Sequence, residues 1–323
     1  MVGLIGLGRI DNDQSSQSSF YGALRSEYSL YNKFLEFYFH PKSGYILAGK
    51  QTIDDIEHLD MLEVDLVDNF EYRILLDSIG FEVSDHFLKN DPIGSAGAQT
   101  QKAGDVVQKT FELPGGSKGF ALNPNLKFVK ISGAYFDTIV SVLCKDTLPS
   151  LKKILDVYKA PANSTTNSGK VNNGSSIEDY RLALQKISTI FRCAPNSKQF
   201  EVDEPVKVSL DSLELATIKS LLVPVIQISN QKNMKQFKVQ HSFFKCKNLL
   251  NSTEYCFFLL KAHQDDNELG NVFLDSRVIR VDNSRGKVSL SVNQTKRIYL
   301  LNQQLKVRKT TKKSHFFTFL NFF

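Results

Sequence analysis

The chain is read as an all-β fold with minor helices, on three observations. Short segments of alternating apolar and polar residues recur along most of its 323 residues. Clusters of Gly, Pro, Asn and Ser, at which an extended chain can reverse, separate them. Helical periodicity is confined to a few short stretches, and no repeat of solenoid length is present.

Taken in order, Phe37 to Gly49 reads as strand, turn, strand, reversing over Pro41 to Gly44. Leu62 to Val67 alternates cleanly, and Tyr72 to Val83 is a further strand region. Val278 to Val292 reads as a hairpin that turns at Asn283 to Gly286. Helical patterns cover Ser19 to Glu27, Ala134 to Leu143 and Ile177 to Thr189. Residues 90–105 (Gly, Ala and Gln) and 160–176 (Asn, Ser, Thr and Gly) have little to bury and read as inserted surface loops. After Val292 the β pattern gives way to a basic stretch, with Lys306, Arg308, Lys309, Lys312 and Lys313. An aromatic end follows, with Phe316, Phe317, Phe319, Phe322 and Phe323. A disordered end is the leading expectation for this tail, and contact with an anionic membrane surface is the weaker one.

Composition narrows the function classes. With 41% hydrophobic and 23% charged residues the chain has the balance of a globular protein with a sizeable core. A net charge of +6, not gathered on one long helix, does not point to nucleic acid. No run approaches the ~20 apolar residues of a membrane span. The start, Met1 to Asp11, is apolar but short; it lacks a basic n-region and a small-residue cleavage site, so no signal peptide is read in it.

Sites of common chemistry are not apparent. Cys144, Cys193, Cys246 and Cys256 allow three pairings, and no close Cys-x-x-Cys pair suggests zinc. The six histidines form no ligand cluster, so no metal and no cofactor are expected. Leu113-Pro-Gly-Gly-Ser-Lys-Gly misses the phosphate-loop spacing. Asn163, Asn173, Asn251 and Asn293 each begin an Asn-x-Ser/Thr triplet and are candidate glycosylation acceptors.

Three passages, in order, resemble the pepsin-like aspartic peptidases. Gly3-Leu-Ile-Gly-Leu-Gly, with Phe20-Tyr-Gly-Ala-Leu, Leu35-Glu-Phe-Tyr-Phe and Ser43-Gly-Tyr-Ile-Leu-Ala-Gly, resembles the passage that closes the family's N-terminal lobe and crosses between lobes. Glu63 to Ile79, through Tyr72-Arg-Ile-Leu-Leu-Asp-Ser-Ile, resembles a C-terminal lobe strand pair, with Tyr72 where the family has Trp. Leu269-Gly-Asn-Val-Phe-Leu, through Val281-Asp to Lys287-Val-Ser-Leu, resembles the end of that lobe.

The resemblance implies a truncated pepsin-type fold, mainly the C-terminal lobe. Residues 1–60 would be the end of the N-terminal lobe and the crossover, 61–292 the C-terminal lobe, and 293–323 a tail. The family's reaction needs two carboxylates about 3 Å apart that share one proton. Each lies in an Asp-Thr/Ser-Gly-Thr/Ser turn. No Asp-Thr-Gly or Asp-Ser-Gly occurs anywhere in this chain. Phe120 to Leu143 resembles the passage around the second catalytic aspartate, and there Asn123 holds the aspartate position, Pro124 the Thr/Ser, Asn125 the Gly and Leu126 the last Thr/Ser. An amide cannot take a proton from water. Asp137 lacks the glycine and falls in the following helix, where an exposed aspartate is expected.

The resemblance thus implies an inactive relative that binds a peptide or protein, or serves a structural role. The alternative is a fragment, or an incomplete gene model, of an endopeptidase that cleaves peptides when complete. It also implies a Cys193–Cys256 disulfide and a secretory, vacuolar/lysosomal or extracellular location. The missing N-terminal lobe, or self-association, is expected to cover surface that one lobe leaves bare.

Overall fold

The computed structural model describes residues 34–38, 45–49, 60–67, 72–82, 109–112, 119–157, 177–194, 199–239, 241–248, 253–263, 266–282 and 285–292. The expected helix at Ser19 to Glu27, both inserted loops, the four candidate glycosylation sites and the tail lie outside them. Within them the fold is mainly β, as the alternation predicts.

The first sheet joins the two ends of the described chain. Strands β1 (Phe34–Tyr38) and β2 (Tyr45–Gly49) form the expected hairpin. Strands β16 (Val278–Asp282) and β17 (Lys287–Ser291) form the second, closed through Gly286 at φ 62°, a left-handed position that suits glycine. With β3 (Met61–Asp65) the order is β2-β1-β16-β17-β3. Register places Leu35 beside Val281, Val281 beside Val288, and Val288 beside Val64, so one face is an unbroken apolar stripe into the core. The other face carries Glu36, hydrogen-bonded to Arg280 on the neighbouring strand, both buried.

Strands β4 (Arg73–Ile74) and β5 (Ser78–Glu82) come from one expected strand region but enter different sheets. The chain breaks at Asp77, whose carboxylate accepts from Ser229 Oγ and whose N–H donates to Gln227 O. Strand β5 pairs with β6 (Lys109–Glu112) and with β10 (Val223–Ser229), which pairs with β11 (Met234–Lys238). A third sheet holds β9 (Lys207–Ser209), β12 (Phe243–Asn248) and β13 (Thr253–Phe257).

The fourth sheet has an order that no succession of hairpins produces. It contains β7 (Phe120–Leu122), β8 (Val129–Ser132), β14 (Leu259–Ala262) and β15 (Glu268–Leu269), with β4 at one edge. Although β7 and β8 are joined by a short loop, they do not pair. Strand β15 lies between them, parallel to β7 and antiparallel to β8.

Helices α1 (Gly133–Val142) and α3 (Ile177–Ile190) stand where periodicity predicts them. The helical content is larger than expected. A π turn at Leu143–Thr147 carries α1 directly into α2 (Leu148–Val157), and α4 (Ser212–Leu221) is additional. Phenylalanines supply most of the largest fully buried side chains among the described residues. Phe257 lies 4.7 Å from Phe191, 4.9 Å from Phe258 and 5.4 Å from Phe243, centroid to centroid, in tilted and edge-on geometries that suit the ring quadrupoles.

The cysteines correct one expectation. Cys193 pairs with Cys144, not with Cys256, and Cys256 pairs with Cys246. Cys144 sits in the π turn beside the end of α3, which Cys193 follows directly, so their Cα atoms lie 5.2 Å apart. Strands β12 and β13 are neighbours, and a bulge between Lys245 and Lys247 leaves Cys246 outside the ladder, within 5.6 Å (Cα to Cα) of Cys256. In the chain-entropy description, closing 49 residues contributes about 4 kcal/mol and closing 10 about 3 kcal/mol.

Candidate functional site

The loop between β7 and β8 is built on Asn123. Its backbone N–H donates to Leu269 O of the inserted strand (3.0 Å), which sets the end of β7 against β15. Its side-chain Oδ1 accepts from the Asn125 N–H (3.0 Å), and its backbone carbonyl accepts from the Leu126 N–H (3.2 Å). Asn123 to Leu126 is thus a tight turn whose first side chain takes the N–H two residues on, a bond that asparagine and aspartate make alike. Asn125 does not adopt a positive φ, so the turn forms without the glycine-like conformation that its position invited.

The second half of the site is Gly270, at the end of β15. The Asn271 N–H donates to Leu126 O (2.6 Å) and the Val272 N–H to Lys127 O (3.0 Å). A Cβ on Gly270 would stand 2.2 Å from Phe128 O and 2.4 Å from Leu126 O. Here glycine is required for close approach: two backbones touch where any side chain would separate them. Helix α5 (Asn271–Leu274) then leads into β16.

The sequence did not single out Glu268. Its carboxylate accepts a hydrogen bond from Asn123 Nδ2, and both side chains are partly buried. The signal was present, since a charged residue precedes Leu269-Gly270 in a strand with neighbours on both sides. The resemblance begins one residue later and passed over it. The Asn123 position therefore faces one carboxylate and holds one amide.

Asp137 lies past the far end of β8, on α1, half-exposed, as expected. Lys261 Nζ, itself buried, donates to both of its oxygens (2.8 and 2.9 Å). Asp203 and Asp266 converge on Lys130, at 3.3 Å for Asp203. Burial pulls the Lys130 ammonium down, but the hydrogen bonds to Asp266 and Asp203 outweigh it and hold the pKa above the ordinary lysine value. These carboxylates face lysines and not one another. Among the described residues no group of three His, Cys, Asp or Glu side chains could hold a metal ion, and no helix is long and apolar enough to cross a membrane.

Replacing Asn123 with aspartate tests this geometry. It would set a second carboxyl within hydrogen-bonding distance of Glu268, where the two cannot both ionise, so the folded pair retains a proton that the unfolded chain releases. The variant should be about 2 kcal/mol less stable than the native chain at pH 7. Because the unfolded state then binds fewer protons, the deficit should close as the pH falls toward about 3. Urea unfolding of both chains at several pH values checks this, and a deficit independent of pH would contradict it.

No family model matches the chain, and no curated protein matches it either.

Proposed function

We propose that the chain is a pepsin-type lobe that has lost aspartic peptidase chemistry and keeps the scaffold for binding a peptide or protein. The observation that carries this reading is the passage of β15 between β7 and β8, with Gly270 pressed against the Asn123 turn. That arrangement suits a loop built to hold one carboxylate at its tip, and the side chain there is an amide. The Asn125 N–H on Asn123 Oδ1 supports the register that puts Asn123 at the aspartate position. Two disulfides favour an oxidising compartment, which agrees with secretion or a vacuolar location.

The purified 323-residue chain should therefore show no cleavage of a diverse peptide library from pH 3 to 7 that a statine-type transition-state inhibitor suppresses. Mass spectrometry of the library reads the outcome. Inhibitor-sensitive cleavage would overturn the reading.

A further inference from the structure

We infer that Glu268 makes this site a receptor for a cationic side chain, so that the bound peptide presents lysine or arginine at the Asn123 turn. The inference rests on the reading above and assigns the ligand's chemistry.

Asn123 Nδ2 donates to one carboxylate oxygen of Glu268, which fixes the group's direction. The amide oxygen of Asn123 is committed to the Asn125 N–H, so the amide cannot turn round and offer its oxygen instead. What is left open is acceptor capacity on an oriented carboxylate.

Among the described residues the fold supplies no cation to fill it. Among the described residues none forms an ion pair with Glu268. The cross-strand neighbour on β8 is Lys130, in register with Glu268, yet its ammonium is held by Asp266 and Asp203. On the other side the register neighbour is Ala121 on β7, whose methyl group cannot pair with a charge. Beyond Ala121 lies Arg73 on β4, whose guanidinium donates to Gly119 O at 3.2 Å. Two cations thus stand in the same row of the sheet, and each makes other bonds. A partly buried carboxylate with a neutral donor, and no counter-charge among the described residues, keeps room for one. A guanidinium or ammonium brought by a ligand supplies charge-assisted hydrogen bonds that a neutral side chain of the same size cannot.

The test exposes the full chain to acetylated octapeptides, randomised except for a central Arg, Lys, citrulline or Glu, and recovers the bound peptides for mass spectrometry. Arg and Lys peptides should be recovered at least about tenfold more than citrulline peptides, which keep the shape without the charge, and Glu peptides least of all. Glu268→Gln, nearly isosteric, should bring the Arg-to-citrulline ratio below about two. Should that variant fail to fold, the native chain still decides, because the preference must fall as NaCl is raised from about 0.05 to about 0.5 M. Equal recovery of Arg and citrulline peptides, no recovery at all, a preference insensitive to salt, or a preference that survives in folded Glu268→Gln would each overturn the inference. Recovery of cleaved peptides would instead count against the non-catalytic reading, whatever the central residue.

Discussion

Gly270→Ala should cost the protein more than about 4 kcal/mol and leave little folded material at 37 °C. The reason is space, since Gly270 has φ −94°, a value any residue adopts. The added methyl would stand 2.2 Å from Phe128 O and 2.4 Å from Leu126 O, and both obstacles are backbone. A flexible side chain could swing away; these carbonyls cannot, because Leu126 O accepts from Asn271 N–H and the chain from Phe128 leads directly into β8. Ordinary overpacking costs about 1–3 kcal/mol. Here the clash would drive β15 out from between β7 and β8, releasing the Asn123–Leu269 hydrogen bond with it. Thermal unfolding followed by circular dichroism measures the effect. A melting temperature within a few degrees of the native chain's would show that β15 does not pass this close to the loop.

That clash also shows where the sequence was legible. The two hairpins could be read because alternation and turn chemistry agree: Pro41 to Gly44 and Asn283 to Gly286 separate strands whose apolar residues then share one face. Helices α1 and α3 were equally legible from their periodicity. The continuation into α2 was not, because Pro149 should break a helix by removing an N–H and crowding the carbonyl four residues back. The π turn over Leu143–Thr147 precedes that point, and the Leu148 N–H already bonds five residues back, to Leu143 O. The ladder is loosened before the proline arrives, and the helix goes on. Helix α4 carried a plain signal that was passed over. Asp211 caps it, accepting from the Glu214 N–H at 2.8 Å, while Glu214 accepts from the Asp211 N–H at 2.9 Å.

The site divides in the same way. The turn at Asn123 could be found from local residues, because asparagine two places before Asn125 makes its own hydrogen bond. Its partner Glu268 lies 145 residues away, and only the insertion of β15 between β7 and β8 brings the two together. The disulfides failed for a related reason. Which cysteines meet was set by a bulge in β12 and by a π turn, two backbone irregularities that alternation and helical periodicity do not report.

Arg277→Met should destabilise the protein by about 3–5 kcal/mol, and Arg277→Lys should recover little of the loss. Arg277 is 1% exposed, the largest fully buried side chain among the described residues. Its Nε donates to Phe273 O (2.9 Å), Nη1 to Ser291 O (3.0 Å) and Val292 O (2.5 Å), and Nη2 to Lys238 O (2.6 Å). The guanidinium also lies 5.2 Å from the ring centroids of both Phe237 and Phe273. One side chain thus ties together α5, the end of β17 and the end of β11 through four backbone carbonyls. Methionine fills much of the volume but removes those donors, at about 1–3 kcal/mol for each acceptor left buried and unpaired. Lysine keeps the charge but loses the planar fork that spans the three segments. Burial pushes the guanidinium down to about 10, and the nearby Asp275 opposes part of that shift. Since this value lies below the unfolded one, folded and unfolded chains differ in protonation only above about pH 10, where the unfolded state binds the extra proton and stability rises with pH. Between pH 5 and 9 the group is charged in both states, so the loss caused by Arg277→Met should be the same throughout that range. Urea unfolding at three pH values measures it. A loss that changes with pH, or a lysine variant within about 1 kcal/mol of the native chain, would mean that charge rather than the fan of donors to backbone carbonyls is what the core needs at this position.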